Sequence, residues 1–363
     1  MKPYRVLLAL CLILTTACAA PTVALPLVPT ATAAIAPTTT PAALATTTLA
    51  ATITPEAADY LEAAITIMET NGINRLVVDW QALRSQAAEM ARSAQTTAET
   101  YGAIRFALRA AGGRHSFFLT PQQAAAKAQT TMADSPPPRA KLLLDRLAYV
   151  ALAGFGSTDP DEEARYATLV QHLIRNLDAE APCGWIVDLR ENTGGNMYPM
   201  LAGLGPILGE GVAGHFIDPE GLSTDWSYHA GQSFYGNEGA TRVTGPAFHL
   251  QADQPPVAVL TGIRTASSGE AMVISFRGLP NTRSFGHYTA GLSTGNAGHT
   301  LSDGALIILT GVVMADRTGQ AYGEAVPPDE TVDDVRQFAL LMDEAIPQPA
   351  VDWLLAQPAC AMP

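Results

Sequence analysis

Thr265-Ala266-Ser267-Ser268-Gly269-Glu270 follows the apolar run Val257 to Leu260 and opens a helical pattern. A serine hydroxyl at such a strand-to-helix turn lies among unsatisfied backbone N–H groups at the positive end of the helix, which stabilise an oxyanion formed there. Ser, Thr and Gly also serve as ordinary caps, so nucleophile and cap both fit the turn taken alone. A second turn, Asp188-Leu189-Arg190-Glu191-Asn192-Thr193-Gly194-Gly195, ends the apolar run that begins at Trp185. Paired glycines permit positive φ and close backbone approach, so their amides can face a substrate carbonyl; a plain strand-to-helix connection fits as well. It is a poor phosphate loop, because no Gly-Lys-Ser/Thr follows. A third stretch, Gly323-Glu324-Ala325-Val326-Pro327-Pro328-Asp329, brings two carboxylates into a turn-rich segment that otherwise reads as a solvated loop. No Cys/His cluster has zinc spacing and no HExxH occurs, so the sequence calls for no metal and no cofactor.

In this order the three motifs resemble those of the S41 serine peptidases, the family of the C-terminal processing peptidases, the tricorn protease core and the interphotoreceptor retinoid-binding repeats. The resemblance covers about residues 100–345. It implies an α/β fold of the ClpP/crotonase ββα type, with Ser267 as nucleophile. The oxyanion hole would be formed by the N–H of Ser268 and one from Gly194 or Gly195. Processing peptidases place a lysine directly after the Phe-Gly of the next strand, here Arg283-Ser284-Phe285-Gly286, but His287 stands at that place. The tricorn-like branch uses a Ser-His-Glu arrangement with an early histidine. Arg114-His115-Ser116-Phe117-Phe118 sits where that histidine belongs, and Glu324 matches the acid of the closing motif. His115 is therefore expected as the general base and Glu324 as the acid orienting it, with His287 in reserve. With an ordinary imidazole, activity would fall on acidification near a pKa of about 6.5.

Many processing peptidases insert a PDZ domain between the early strand and the core. About 28 residues separate Phe118 from Leu147, too few for a domain of that kind. The non-PDZ branch is the better match, leaving substrate choice to the cleft and to whatever precedes the catalytic domain. That preceding stretch, residues 56–111, has apolar residues such as Tyr60, Ala63, Ala64, Ile67 and Met68 at helical spacing, and predicts a small N-terminal cap of two or three helices. Strand-like runs at 147–153, 185–189, 257–260 and 306–314 alternate with helical stretches around 161–178, 197–208, 266–278 and 332–344, the pattern of an α/β domain. The catalytic domain is taken as residues 112–346 and the C-terminal tail as 347–363.

The chain has 363 residues with 48% hydrophobic and 15% charged, enough apolar material for a substantial core. A formal charge of −13 and three lysines, Lys2, Lys127 and Lys141, leave no basic stripe for nucleic acid. Residues 1–18 place Lys2 and Arg5 before an apolar run and small residues, the order of a secretory signal. Ala17-Cys18 resembles the end of a bacterial lipobox, with Thr15 where leucine is usual, so a lipid anchor at Cys18 is the only membrane attachment expected. Cleavage after Ala19 or a retained anchor are the alternatives, and all three export the protein. Residues 19–55, rich in Ala, Thr and Pro, read as an extended linker. Cys183 and Cys360 remain in the mature fold, as a disulfide or as two buried thiols.

The function expected is an exported serine peptidase acting on a peptide or unfolded protein through an acyl-enzyme. Two other readings stay open: a non-catalytic member of the same fold that binds apolar ligands, and an esterase or amidase on a small envelope substrate. The sequence leaves the oligomeric state open.

Overall fold

The computed structural model describes residues 52–332 and 346–361. The expected signal peptide, Cys18, most of the expected linker and nearly all of the helix expected at 332–344 lie outside them. Three helices come first: α1 (Pro55–Asn71), α2 (Trp80–Met90) and α3 (Tyr101–Gly112). Thr54 caps α1 by accepting from the N–H of Ala57, with Pro55 in the first turn where its missing N–H costs nothing. The buried stripe of α1 is Ala57, Tyr60, Leu61, Ala64, Ile65 and Met68. Ala63 is exposed and Ile67 half-buried, so the apolar face lies about one residue from the one the spacing suggested.

A short strand β1 (Phe117–Leu119), α4 (Pro121–Ala128) and a hairpin of β2 (Arg139–Leu143) and β3 (Leu147–Ala151) lead into the main layer. There α5 (Pro160–Asp178), β4 (Gly184–Asp188) and α6 (Met197–Leu208) precede an antiparallel meander, β5 (Gly211–Ile217), β6 (Ser223–His229), β7 (Gln232–Tyr235) and β8 (Glu238–Arg242). Then come β9 (Val257–Thr261), α7 (Ser268–Phe276), β10 (Thr282–Gly286), β11 (Thr294–Thr300), β12 (Leu306–Asp316), β13 (Glu330–Thr331) and α8 (Gln348–Leu355).

Two sheets result. One has the order β13-β10-β9-β4-β3-β2 and is parallel except at β2/β3. Every residue of β3, β4 and β9 is buried, as expected of parallel strands covered on both faces. Period-two alternation sorts their side chains: Ala148, Val150, Trp185, Val187, Val257 and Val259 pack with α5, α6 and α7. Leu147, Tyr149, Ile186, Ala258, Leu260 and Phe285 pack with Ala350 and Leu354 of α8. The second sheet runs β1-β12-β5-β6-β7-β8, with β11 also on β12. The cap helices bury their stripe against Phe118, Leu301, Ala305, Ile307 and Leu309. Asp303, in the β11–β12 hairpin, accepts the Tyr60 hydroxyl at 2.7 Å and pins α1 to it.

Cys183 and Cys360 are joined as a disulfide across a sequence separation of 177 residues, with Cα atoms 4.9 Å apart. The bond fastens the segment after α8 to the start of β4. Closing so long a loop restricts the unfolded chain, and its removal is expected to cost about 3–5 kcal/mol. The double variant Cys183→Ser/Cys360→Ser should show this as a lower urea midpoint; an unchanged midpoint would mean that α8 holds by packing alone.

Candidate active site

Strands β4 and β9 are neighbours in register, with Asp188 opposite Leu260, so the turns leaving their C-terminal ends emerge side by side, where α/β sheets place their sites. The Thr265–Glu270 turn is tied at each step. Thr261 Oγ1 donates to His287 O at 2.8 Å, Thr265 Oγ1 to Leu189 O at 2.8 Å, and the Ala266 N–H to Asn192 O at 2.9 Å. Ser267 follows with φ 53° and ψ −117°, a region where a residue with a Cβ is strained. Its N–H donates to Glu270 Oε2 at 2.7 Å. The turn thus presents a half-buried serine at the start of α7, with Ser268 as first helical residue.

The glycine turn packs directly against it. A Cβ on Gly194, whose φ is 98°, would stand 2.8 Å from the Cβ of Ser267 and 3.2 Å from the Ser268 nitrogen. Ser268 Oγ donates to Gly195 O at 2.6 Å, and Phe155 brackets the pair by donating its N–H to Gly194 O and accepting from Asn196 N–H. Of the three amides expected around an oxyanion, that of Gly194 is committed, because its N–H donates to Asn192 Oδ1 at 3.1 Å. Those of Ser268 and Gly195 have no acceptor among the described residues. Gly194 contributes space rather than a donor. The buried Asp188 beneath the turn is held by Arg190 at 2.6 Å and by the Tyr149 hydroxyl at 2.8 Å. Beside the glycines opens a cleft of about 630 Å³, walled by Ser135, Pro136, Pro137, Glu191 and Arg264. Glu191 and Arg264 form an ion pair at 3.0 Å.

His115 ends a short 3-10 turn between α3 and β1. Its carbonyl accepts from Asn296 Nδ2 at 3.1 Å, and its Nδ1 meets Thr294 Oγ1 at 2.7 Å. Burial, with the Arg114 charge adding to it, lowers the imidazole pKa to about 4, so the ring is neutral at physiological pH. One residue bridges the two halves of the site. The Ala290 N–H donates to Thr265 O at 2.8 Å, while Ala290 O accepts from Arg114 Nη2 at 2.7 Å. No hydrogen bond between the His115 ring and Ser267 is present among the described residues.

Glu324 departs from expectation. Its carboxylate is exposed and makes no hydrogen bond or ion pair with His115. Its backbone carbonyl faces inward and accepts from Ser293 Oγ. A threonine hydroxyl therefore occupies the imidazole nitrogen that the acid was to orient. The reserve residue His287 has its backbone paired with Thr261 and its side chain exposed, edge-on to Tyr288 at 6.3 Å, without a hydrogen bond to Ser267.

Two residues of the site were not singled out by motif. Thr294 gives no sequence signal. Glu270 does, since Ser267-x-x-Glu270 has capping-box spacing. Glu270 is fully buried and accepts from four donors: Ser267 N–H, Thr289 Oγ1 at 2.6 Å, Gly291 N–H at 2.8 Å and Leu292 N–H at 2.8 Å. Burial pushes its carboxyl above the usual carboxylate value, and the donors oppose that rise.

Among known proteins, the nisin-resistance protein of Lactococcus lactis subsp. lactis is 26% identical over 289 residues, spanning 79% of this chain and 87% of that one. The structure of a lipoprotein from Streptococcus agalactiae superposes with a TM-score of 0.66 at 26% identity, over 79% of this chain and 96% of that one. The photosystem II D1 C-terminal processing protease shares the fold, with a TM-score of 0.58 at 16% identity over 85% and 99% of the two chains. Residues 146–332, which carry both turns, β9 through β13 and the closing segment, match the model of peptidase family S41, and the chain belongs to that family.

Proposed function

We propose that the chain is an exported serine peptidase that cleaves peptide bonds through an acyl-enzyme on Ser267. The observation that carries this reading is the strained Ser267 turn. It sets a serine against the Gly194–Gly195 turn, and the backbone N–H groups of Ser268 and Gly195 have no acceptor among the described residues, in a family of peptidases. With Nδ1–H donated to Thr294 Oγ1, His115 keeps its lone pair on Nε2 and accepts the Ser267 proton as Oγ attacks the scissile carbonyl. The Ser268 and Gly195 amides hold the oxyanion. The imidazolium then returns the proton to the leaving amine, and water repeats the sequence to free the acid. Thr294 orients the ring but brings no negative charge to the imidazolium, so this is a Ser-His pair with a neutral orienting group.

Export is supported by the leader, by the disulfide, which suits an oxidising compartment, and by the likeness to a lipoprotein. Attachment through a lipid on Cys18 accords with all three. For substrate, the nisin-resistance relative makes nisin the first peptide to offer.

The test is intact-mass analysis of residues 52–363 after exposure to a fluorophosphonate. One adduct is expected, absent in Ser267→Ala and kept in Ser268→Ala, together with cleavage of nisin or of an unfolded protein. No adduct in the unaltered protein would favour the ligand-binding reading. An adduct with ester but no peptide cleavage would favour the esterase.

A further inference from the structure

A capping box accounts for one of the four hydrogen bonds that Glu270 accepts. The other three come from Thr289, Gly291 and Leu292, all in the loop between β10 and β11. Each carboxylate oxygen takes two donors, Oε1 from Thr289 and Gly291 and Oε2 from Ser267 and Leu292. That fills the four lone-pair sites of the ionised form. The same loop is held from its other side by Arg114, whose Nη2 donates to Ala290 O at 2.7 Å and to Gly291 O at 2.6 Å. One end of the loop is bonded to the nucleophile turn, through Ala290 N–H on Thr265 O. The other runs into Thr294, whose hydroxyl holds the His115 ring. Arg114 is the residue next to His115, and Glu270 is bonded to the backbone of Ser267.

We propose that Glu270 and Arg114 are positioning residues that grip the Thr289–Leu292 loop from opposite sides, the carboxylate by its amides and the guanidinium by its carbonyls, and so set the spacing between Ser267 and His115. The proposal rests on Ser267 being the nucleophile. Neither residue touches the reacting atoms. Their effect is geometric, and a displacement of about 1 Å in a reacting pair costs about 100-fold in rate.

A purely structural role would lower the amount of folded protein without changing the reactivity of each folded site. The measurement therefore separates labelled fraction from rate constant, using the fluorophosphonate on the unaltered protein, Glu270→Gln and Arg114→Gln at pH 8, where His115 is neutral in all three. Gln keeps the shape of Glu270 but replaces one acceptor oxygen by an NH2 that faces at least one backbone N–H. The expected result is full labelling of the folded protein with a rate constant about 100-fold lower in Glu270→Gln and about 10-fold lower in Arg114→Gln. The two factors should combine to less than their product, since both act on one loop. Labelling at the unaltered rate in both variants would overturn the proposal, as would a reduced labelled fraction with an unchanged rate constant. If Glu270→Gln does not fold, Arg114→Gln, a change at an exposed residue, decides alone. An unaltered protein that takes no label refutes instead the assignment of Ser267, and this proposal with it.

Discussion

His115→Ala is expected to lower the rate of fluorophosphonate labelling at pH 8 by up to about 10⁶-fold, the scale of losing the histidine base from such a site. The more discriminating expectation concerns acid. A base acts when neutral, so activity is held above its pKa and lost below. Burial and the neighbouring Arg114 hold His115 near 4, whereas an ordinary histidine titrates near 6.5. At pH 6.5 a free imidazole is half protonated, and His115 should be protonated in under about 1% of molecules. The acid limb drawn from the sequence alone, near 6.5, thus moves down by more than two pH units.

Glu270 would add a proton on the same side of the profile, so the assignment needs the imidazole itself. Proton NMR titration of the Ser267→Ala protein, with the His115 resonance identified by its loss in His115→Ala, should give a midpoint near 4. A midpoint near 6.5 would sink the claim that burial governs this ring. Linkage follows with the same sign. Between pH 6.5 and about 4 the unfolded chain takes up a proton at His115 that the folded chain refuses, so folding stability should decline over that interval as pH falls. Thr294→Val tests the orienting hydroxyl; losing control of the tautomer should slow labelling about 10-fold while the protein still folds.

The parts of the site legible in the sequence are those fixed by local chain. Asp188 through Gly195 and Thr265 through Glu270 each lie within one strand-turn-helix unit. Apolar runs, glycines and small polar residues give both position and conformation there, and β4, β9, α6 and α7 fall close to where the pattern places them. His115 has no local signature and came from the order of motifs in the resemblance. Glu324 rests on the same order, and the structure does not bring its carboxylate to His115, because a motif fixes where a segment runs but not which way a side chain in a turn faces; here the carbonyl turns in and the carboxylate out.

Thr294 was invisible for a related reason. Its contact with His115 depends on the pairing of β11 with β12, which includes a register shift between Gly295 and Asn296, and on β1 docking to the far end of β12. No sequence window contains all three strands. The meander β5–β8 also has little signature in the sequence. Ser223–His229 has few apolar residues, and only the alternate Trp226 and Tyr228, both buried, mark its inward face. The cysteine pair was undecided until distance was known, since pairing is a condition on space rather than on spacing.

Gly194→Ala is expected to remove activity almost completely while leaving a folded protein. At φ 98° any side chain is strained, at a cost of about 1–3 kcal/mol in stability. The larger consequence is where the methyl lands: 2.8 Å from Ser267 Cβ, 2.9 Å from Ala266 O and 3.2 Å from the Ser268 nitrogen. Two of these neighbours are backbone of the nucleophile turn, which is pinned by Ala266 to Asn192 and by Ser267 to Glu270, so relief requires the whole turn to move. Moving it displaces nucleophile and oxyanion donor together, and labelling should fall by about 10³-fold. Gly195→Ala meets a different obstacle. Its Cβ would lie 2.0 Å from Phe155 O, which breaks the bracket between Phe155 and the glycine turn, so this variant should lose more stability than Gly194→Ala. Gly102→Ala serves as control. It sits inside α3 with nothing near its added Cβ, and alanine there should stabilise by about 0.5–1 kcal/mol without touching the labelling rate. Thermal melts beside labelling rates for the three variants separate the effects. Near-normal labelling in Gly194→Ala would mean that the turn yields to the methyl and that its close packing on Ser267 is not what aims the nucleophile.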